Sequence, residues 1–132
     1  MNRHFSARNF PFTILFFWDI KDAKHCGDGT IDFLKKLASE QVVCAIGECG
    51  LDFDRNFSPP EVQEKWFREQ VSLACELRKP LFLHERSSFK RFSEILSEFK
   101  QKLPRVCVHC FTGTRKELEY YISQGYYIGI TG

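Results

Sequence analysis

Residues 80–109 read PLFLHERSSFKRFSEILSEFKQKLPRVCVH, and this stretch decides the fold. Its two short apolar runs, at 80–84 and 106–109, are rich in Leu, Phe and Val, which is typical of strands covered on both faces. Between the runs, apolar residues recur at helical spacing, at Phe92, Ile95, Leu96, Phe99 and Leu103. The stretch therefore predicts one strand–helix–strand unit, whose parallel strands are joined by a right-handed crossover.

The same alternation extends over the rest of the chain. Further short apolar runs predict strands at 12–18, 42–47 and 126–130, and helical patterns occupy the segments between them. The sequence thus predicts an α/β fold with about five parallel strands alternating with helices. Both a doubly wound sheet and part of an eight-fold barrel satisfy this pattern. No Gly-x-Gly-x-x-Gly motif or P-loop follows a strand, which disfavours the nucleotide-binding forms of the doubly wound sheet.

The composition is that of a single globular domain. The chain has 132 residues, of which 43% are apolar and 27% charged, and its formal net charge is +2. This balance excludes disordered and collagen-like chains, and the net charge is too small to indicate a nucleic-acid partner by itself. No apolar run reaches the ~18 residues that a membrane span needs, so we expect no membrane partner.

The first residues and the cysteines bear on the compartment. Arg3 and Arg8 precede an apolar run at 10–18, an order that imitates a signal peptide. No small-residue cleavage site follows this run, so we favour a buried strand. The six cysteines lie mostly in apolar stretches, as reduced thiols do, which predicts a reducing compartment.

Capping signals mark the ends of two helices. Ser58-Pro-Pro-Glu61 predicts a helix start in which Ser58 accepts from free amides, Pro59 occupies the first turn and Glu61 completes a capping box. Thr114-Arg-Lys-Glu117 predicts a second capping box, and Gly125 is placed to end the helix that follows.

Polar residues that can bind a metal ion follow three successive predicted strands: Glu48, His84 and His109. Ligands gather at the carboxyl ends of parallel strands, and neighbouring strands lie ~4.8 Å apart, so we expect these side chains to converge. One carboxylate and two imidazoles suit Zn²⁺, Mn²⁺ or, with more oxygen ligands, Mg²⁺. Each residue alone is more often a hydrogen-bonded loop or core residue, and it is their coincidence that favours a metal site.

The segment around Glu48 is predicted to bend. Gly47-Glu-Cys-Gly50 has the composition of a turn in which glycines let the backbone pass a bound ion or substrate. In the loop predicted to follow, Asp52 is the candidate for holding a metal ligand in place or accepting a proton, whereas Asp54 is expected to be solvated.

Other residues in the predicted loops are candidates for binding an anion. Arg55, Arg86 and Arg115 follow the same three strands, and an arginine matches phosphate oxygens in a bidentate fork. Residues 112–114 lie at a predicted helix start, where free amides favour an anion. Cys107 and Cys110 form one pair only and face opposite sides of a predicted strand, so a zinc knuckle is not expected.

Four motifs together resemble the TatD family of metal-dependent deoxyribonucleases: VCAIGECGLDFD at 43–54, FLHER at 82–86, VHCFTG at 108–113 and YIGITG at 127–132. The resemblance implies a TIM-barrel hydrolase, cytoplasmic or nuclear, that cuts phosphodiester bonds as a 3′-5′ exonuclease on single-stranded DNA. RNA is a further expected substrate.

The resemblance also implies roles for individual residues. Glu48, His84 and His109 match family metal ligands, and Mg²⁺ is the first expectation for the ion, with Mn²⁺ and Zn²⁺ as alternatives. Within such an enzyme, Glu48 and Asp52 are the expected catalytic residues. Arg55 and Arg86 are the expected substrate-binding residues, because they would steady the phosphates.

The sequence also departs from the family pattern. Asp19-Ile-Lys-Asp-Ala23 stands where the family often has His-Pro-His-Asp-Ala, and the family's late Thr-Asp pair has no counterpart. Since a closed barrel takes ~250 residues, we expect a divergent segment at 1–20 followed by a partial TatD-like hydrolase domain at 21–132. Open sheet edges then predict self-association, together with an incomplete metal site.

Two alternatives to a nuclease stay open. The first is a catalytically inactive fragment that binds nucleic acid or a full-length relative. The second is a barrel amidohydrolase or phosphotriesterase that acts on a small molecule, because the ligand set alone suits that chemistry equally well.

Overall fold

The computed structural model describes residues 13–16 and 20–131, with side chains from Ala23 onwards. The described sheet has five parallel strands: β1 (Thr13–Phe16), β2 (Val43–Asp52), β3 (Leu81–Arg86), β4 (Val106–Val108) and β5 (Tyr127–Ile128). The strands lie in chain order, and each pairs in parallel with the next. The predicted α/β fold with five parallel strands is confirmed, and β1 lies within the strand predicted at 12–18.

Helices connect successive strands, as the apolar periodicity predicts. A 3-10 helix, Ile20–His25, and helix α1 (Thr30–Ala38) stand between β1 and β2. The next connections carry α2 (Pro60–Leu77), α3 (Phe89–Glu98) and α4 (Arg115–Ser123). Strand–helix–strand units of this kind build the (β/α) barrel when they are repeated. Among the described helices, none is long and apolar enough to cross a membrane.

One face of the sheet packs against the helices and forms the core. Buried apolar side chains of β2, β3 and β4 join those of all four α-helices in a single cluster. Phe67 of α2 and Phe92 of α3 stack with their ring centroids 5.1 Å apart. The fully buried ring of Tyr121 in α4 meets Phe92 edge-on at 5.9 Å. This packing fixes the strands from the helical face of the sheet, and the opposite face of the sheet is left for functional side chains.

A buried carboxylate ties two helices to β3 within the core. Glu85 is only 8% exposed. Its oxygens accept hydrogen bonds from the backbone N–H of Ser88 at 2.8 Å, from the Ser88 hydroxyl at 3.1 Å and from the Tyr121 hydroxyl at 3.2 Å. The Ser88 hydroxyl also lies 3.2 Å from the carbonyl oxygen of Leu51. A buried carboxylate needs such partners to offset its lost hydration, and these bonds fix α3 and α4 against the sheet.

The capping box at α4 is confirmed, whereas the one predicted at α2 is wrong. The Thr114 side chain accepts from the N–H of Glu117, whose carboxylate accepts in return from the N–H of Thr114. Gly125, with φ of +78°, follows the end of α4 as predicted. In contrast, α2 begins at Pro60 without a side-chain cap. Ser58 is buried, and its hydroxyl accepts from the N–H of Lys24. This tertiary contact uses the oxygen that would otherwise accept from the first N–H groups of α2.

The turn predicted at 47–50 is also wrong, because β2 continues through it to Asp52. The register between β2 and β3 shifts between Gly47 and Cys49, where Glu48 is the extra residue. A bulge of this kind accommodates one additional residue without ending the strand. Similarly, His84 lies inside β3 and not after it. Only His109 directly follows its strand.

Candidate metal centre

Three adjacent strands bring Glu48, His84 and His109 together on the face of the sheet opposite the helices. Glu48 comes from the bulge in β2, His84 from β3 and His109 from the residue after β4. One donor atom from each residue lies within 4.8 Å of the other two. All three side chains are partly buried, so water has limited access to them. Among the described residues this is the one such group of acidic, histidine or cysteine side chains.

Two glycines in β2 let β3 come close enough for this meeting. A Cβ atom on Gly47 would lie 2.1 Å from the carbonyl oxygen of Phe82, and one on Gly50 would lie 1.8 Å from that of His84. Both glycines also have positive φ, at +152° and +148°. A side chain at either position would therefore push β3 away from β2 and separate Glu48 from His84. The peptide bond between Gly47 and Glu48 is cis.

The carboxylate of Glu48 lies between the two imidazoles. Its Oε1 atom is 2.6 Å from Nε2 of His109 and 3.5 Å from Nδ1 of His84. The two imidazole rings have their centroids 5.7 Å apart. Glu48 is thus the common neighbour of both histidines, and a cation placed here would meet one anionic oxygen and two nitrogens.

Asp52 holds the other nitrogen of His84. The last residue of β2, it is 2% exposed, and its Oδ2 atom lies 3.1 Å from Nε2 of His84. Its Oδ1 atom accepts from the backbone N–H groups of Asp54 at 3.1 Å and Arg55 at 2.8 Å. Because a carboxylate only accepts, Nε2 of His84 carries the proton, and Nδ1 is left to face Glu48. The expectation that Asp52 lies in a loop is therefore wrong, since its carboxylate is enclosed beneath His84.

The electrostatics of the site favour a positive charge between Glu48 and His84. The close contact with His84 lowers the pKa of Glu48, against the opposing effect of burial. The same contact with Glu48 raises the pKa of His84, and the hydrogen bond with Asp52 adds to that effect. With Nε2 donating to Asp52, a neutral His84 would turn an unprotonated nitrogen toward a carboxylate oxygen. A proton or a cation between them relieves this repulsion.

His109 is oriented by two neighbours whose contacts with it were not predicted from the sequence. The ring of Phe82 stacks on it with centroids 4.5 Å apart and planes inclined by 16°. Its Nδ1 atom lies 3.1 Å from Sγ of Cys110, which leaves Nε2 directed at Glu48. Alternation along β3 could have suggested Phe82, because it shares a face with His84 two residues on. Cys110 has positive φ, at +49°, and no sequence signal predicted its contact.

The candidate arginines are distributed around the site unequally. Nε of Arg55 is 3.8 Å from Oδ2 of Asp52, and its side chain is 53% exposed. Arg86, the last residue of β3, forms an exposed ion pair with Asp54, with 2.9 Å between Nη2 and Oδ2. Arg115 is exposed, and its Nε lies 2.8 Å from a carboxylate oxygen of Glu119, one turn along α4. Arg55 thus contacts Asp52, which holds His84, whereas Arg86 contacts Asp54 at the surface and Arg115 contacts a residue of its own helix.

The donor set fits a divalent cation. A carboxylate oxygen and two imidazole nitrogens are ligands for Zn²⁺ and Mn²⁺, and for Mg²⁺ when further oxygens complete its shell. The hydrogen bond from His84 to Asp52 is the kind of outer contact that orients a ligating histidine. Cys107 and Cys110 are not part of this group, and all six cysteines are free thiols.

Comparison with known proteins gives a consistent result. The family model described as TatD related DNase matches residues 13–132. A curated protein from Escherichia fergusonii, named 3'-5' ssDNA/RNA exonuclease TatD, is 47% identical over 111 residues. The match covers 84% of this chain but only 43% of that protein, so the chain spans less than half the length of this relative.

Solved structures share the fold. A TatD homologue from Escherichia coli superposes with a TM-score of 0.80 and 27% identity, over 92% of this chain and 48% of the other. A hydrolase of the TatD family from Entamoeba histolytica gives a TM-score of 0.74 and 30% identity, over 84% of this chain and 38% of the other.

Proposed function

Because this chain belongs to the TatD related DNase family, we propose that it acts as a metal-dependent hydrolase of phosphodiester bonds. The observation that carries the proposal is the meeting of one carboxylate and two imidazoles within 4.8 Å, from Glu48, His84 and His109. The name of the curated relative supports single-stranded DNA as the substrate, RNA as a further one and cleavage from the 3′ end.

In this proposal Glu48, His84 and His109 hold a divalent cation, with Mg²⁺ as the first candidate and Mn²⁺ or Zn²⁺ as alternatives. Such a cation supplies a Lewis acid that polarises the scissile phosphate. Glu48 contributes the negative charge of the site, and the two imidazoles contribute neutral nitrogens. The partial burial of all three residues strengthens their attraction for the cation, because less water screens it.

We assign Asp52 a positioning role and not direct proton transfer. Its carboxylate is enclosed and all of its observed contacts are to the protein, with Oδ1 on two backbone N–H groups and Oδ2 on His84. A residue so held has little access to substrate, but it fixes the His84 ring and the nitrogen on which the proton stands. Of the two roles expected for Asp52 from the sequence, holding a metal ligand in place and accepting a proton, we therefore propose the first.

Arg55 and Arg86 are proposed to bind the phosphates that flank the scissile bond. Both guanidinium groups are partly exposed, that of Arg55 next to Asp52 and that of Arg86 next to Asp54. One carboxylate does not use all five N–H donors of a guanidinium group, so donors remain for a phosphate. An arginine can present two parallel donors to one phosphate, so either residue would hold the backbone of a nucleic acid without reading its bases.

Two further proposals concern the state of the chain. Within the described sheet, β1 and β5 each pair on one side only, so we propose that copies of the chain associate through these edges. The six free thiols agree with a cytoplasmic location.

The test of the proposed function is cleavage of an end-labelled single-stranded DNA oligonucleotide in Mg²⁺, with Glu48→Gln compared against Glu69→Gln. Glu69 is exposed on α2, so its substitution removes the same charge away from the site. We expect a ladder of products from the 3′ end, loss of at least about 100-fold in rate for Glu48→Gln and no change for Glu69→Gln.

The other outcomes of this assay decide between the alternatives. Binding of the oligonucleotide without cleavage, unchanged by Glu48→Gln, would favour an inactive binding fragment. Hydrolysis of a small phosphotriester or amide, with the oligonucleotide left intact, would favour the small-molecule hydrolase.

A further inference from the structure

The side chain of Gln63, on α2, is enclosed against the carboxyl end of β2 and is 1% exposed. Its Oε1 atom accepts from the backbone N–H of Asp52 at 2.9 Å. Its Nε2 atom donates to the carbonyl oxygen of Asp52 at 3.1 Å and to that of Ser58 at 2.7 Å. The amide therefore binds both backbone groups of Asp52, as the neighbouring strand of a sheet would.

A second buried glutamine on the same helix shows that this contact is particular to Gln63. Gln70 lies two turns further along α2 and is 5% exposed. Its Nε2 atom reaches only the carbonyl oxygen of Trp66, at 3.4 Å, and its buried Oε1 has no hydrogen-bond partner within the described part of the chain. Gln70 is thus a buried amide without a link to the sheet, whereas Gln63 has all of its polar atoms engaged with the loop and strand beside the metal centre.

The contacts of Gln63 continue into the metal centre through Asp52. The backbone of Asp52 is fixed by Gln63, and its carboxylate in turn lies 3.1 Å from Nε2 of His84. On the other side of that ring, Nδ1 lies 3.5 Å from Oε1 of Glu48. A shift in the Asp52 backbone would therefore move the acceptor that determines which His84 nitrogen faces Glu48.

We propose that Gln63 is a positioning residue of the metal centre, which acts through the backbone of Asp52 on the orientation of the His84 ring. This inference rests on the proposed function, since it assumes that the centre binds a cation. It adds a residue that touches neither the cation site nor a substrate. It also explains why a position on the buried face of α2 carries an amide and not an apolar side chain.

The test compares Gln63→Met with Gln70→Met in the full chain, because both replace a buried amide with an apolar side chain of similar length. Two quantities are measured: the affinity for Mn²⁺ by calorimetry, and the imidazole nitrogen NMR signals of His84 without any cation. For Gln63→Met we expect a loss of about tenfold in Mn²⁺ affinity and altered His84 signals. For Gln70→Met we expect both to stay as in the unsubstituted chain, whatever its effect on stability.

Unchanged His84 signals and unchanged Mn²⁺ affinity in Gln63→Met would overturn the inference. If Gln63→Met does not fold, Gln63→Asn serves instead, because it keeps an amide but is one methylene shorter, which draws the amide away from the Asp52 backbone. Unchanged His84 signals in that variant would equally overturn the inference. The NMR measurement is made without a cation. Failure of the unsubstituted chain to bind Mn²⁺ would therefore count against the proposed function alone.

Discussion

The substitution Asp52→Asn separates the two tasks of this carboxylate. Oδ1 accepts from two backbone N–H groups, so the asparagine oxygen will keep that place. The amide nitrogen then replaces Oδ2 and points a donor at Nε2 of His84, 3.1 Å away. Since two donors cannot share a hydrogen bond, Nε2 has to accept, and the proton of a neutral His84 moves to Nδ1. That nitrogen faces Glu48, so the lone pair which would bind a cation is lost.

The expected cost falls on cation binding and not on the fold. Loss of a partner that orients a ligating histidine weakens metal binding by about 10- to 100-fold, or about 1.4–2.7 kcal/mol. The free energy of unfolding should fall by no more than about 1.5 kcal/mol, because the buried amide still has an acceptor for the backbone N–H groups and a donor for His84.

The first assay is calorimetric titration with Mn²⁺ at about pH 8, where few protons compete with the cation for imidazole nitrogens. The second is imidazole nitrogen NMR of the cation-free chain. Asp54→Asn is the matched control: it removes the same charge two residues away, and the side chain of Asp54 pairs with Arg86 on the surface. If Asp52→Asn and Asp54→Asn weaken Mn²⁺ binding equally, only charge matters and the tautomer argument fails. An unmoved His84 proton in Asp52→Asn would refute it as well.

Three further predictions follow from other parts of the molecule. Gly50→Ala should lower the free energy of unfolding by about 3–5 kcal/mol in a denaturant titration, because its Cβ would lie 1.8 Å from the carbonyl oxygen of His84 at a positive φ. Gly27→Ala, with nothing within 4 Å, is the control and should cost less than about 1 kcal/mol. Burial raises the pKa of Tyr126 from 10.0 to about 12. The contribution of this neutral hydroxyl to the free energy of unfolding is therefore complete below pH 10 and is lost as the pH rises to about 12. The loss is no more than about 2 kcal/mol, because the ring is only half-buried. In Tyr126→Phe the free energy of unfolding should depend less on pH between 10 and 12. Light scattering should show association that grows with concentration and weakens in Tyr127→Lys, because a lysine on the edge strand β5 opposes strand pairing; a monodisperse monomer at every concentration would contradict the proposed edges.

The fold could be predicted from the sequence because its signals are local. The apolar runs, the helical spacing between them and the capping box at Thr114 each arise within a few residues. They agree with the observed elements except at some ends, since β2 continues to Asp52 and α3 ends at Glu98, before Phe99 and Leu103. The start of α2 could not be predicted in the same way. Ser58 has the right residue type and spacing for a cap, but its hydroxyl is engaged by Lys24, which lies 34 residues earlier in the sequence.

The candidate metal centre also has one part that could be predicted from the sequence and one part that could not. That Glu48, His84 and His109 approach one another follows from parallel strands, which the sequence predicts, and from their chain order, which the family resemblance implies through the barrel. The bulge in β2 that places Glu48 at the centre could not be predicted from the sequence. Gly-Glu-Cys-Gly has the composition of a turn. Only the structure shows that carbonyl oxygens of β3 lie too close to both glycines for a side chain, so that the glycines allow the two strands to approach each other. Local sequence contains no information on the distance between β2 and β3, so it favours a turn, which is the commoner structure for a glycine-rich segment.

Asp52 and Gln63 differ in how far the sequence indicates their roles. The sequence marks Asp52 as a candidate for holding a metal ligand in place but puts it in a loop, and a glutamine on an amphipathic helix suggests nothing about a strand. Their roles depend on hydrogen bonds that span 32 residues, from His84 to Asp52, and 11 residues, from Asp52 to Gln63. The ligating residue types are legible in the sequence because few side chains can bind a cation. The residues that orient them are harder to recognise, because any polar group in the right place can do so, and the fold determines that Asp52 and Gln63 are the ones that do.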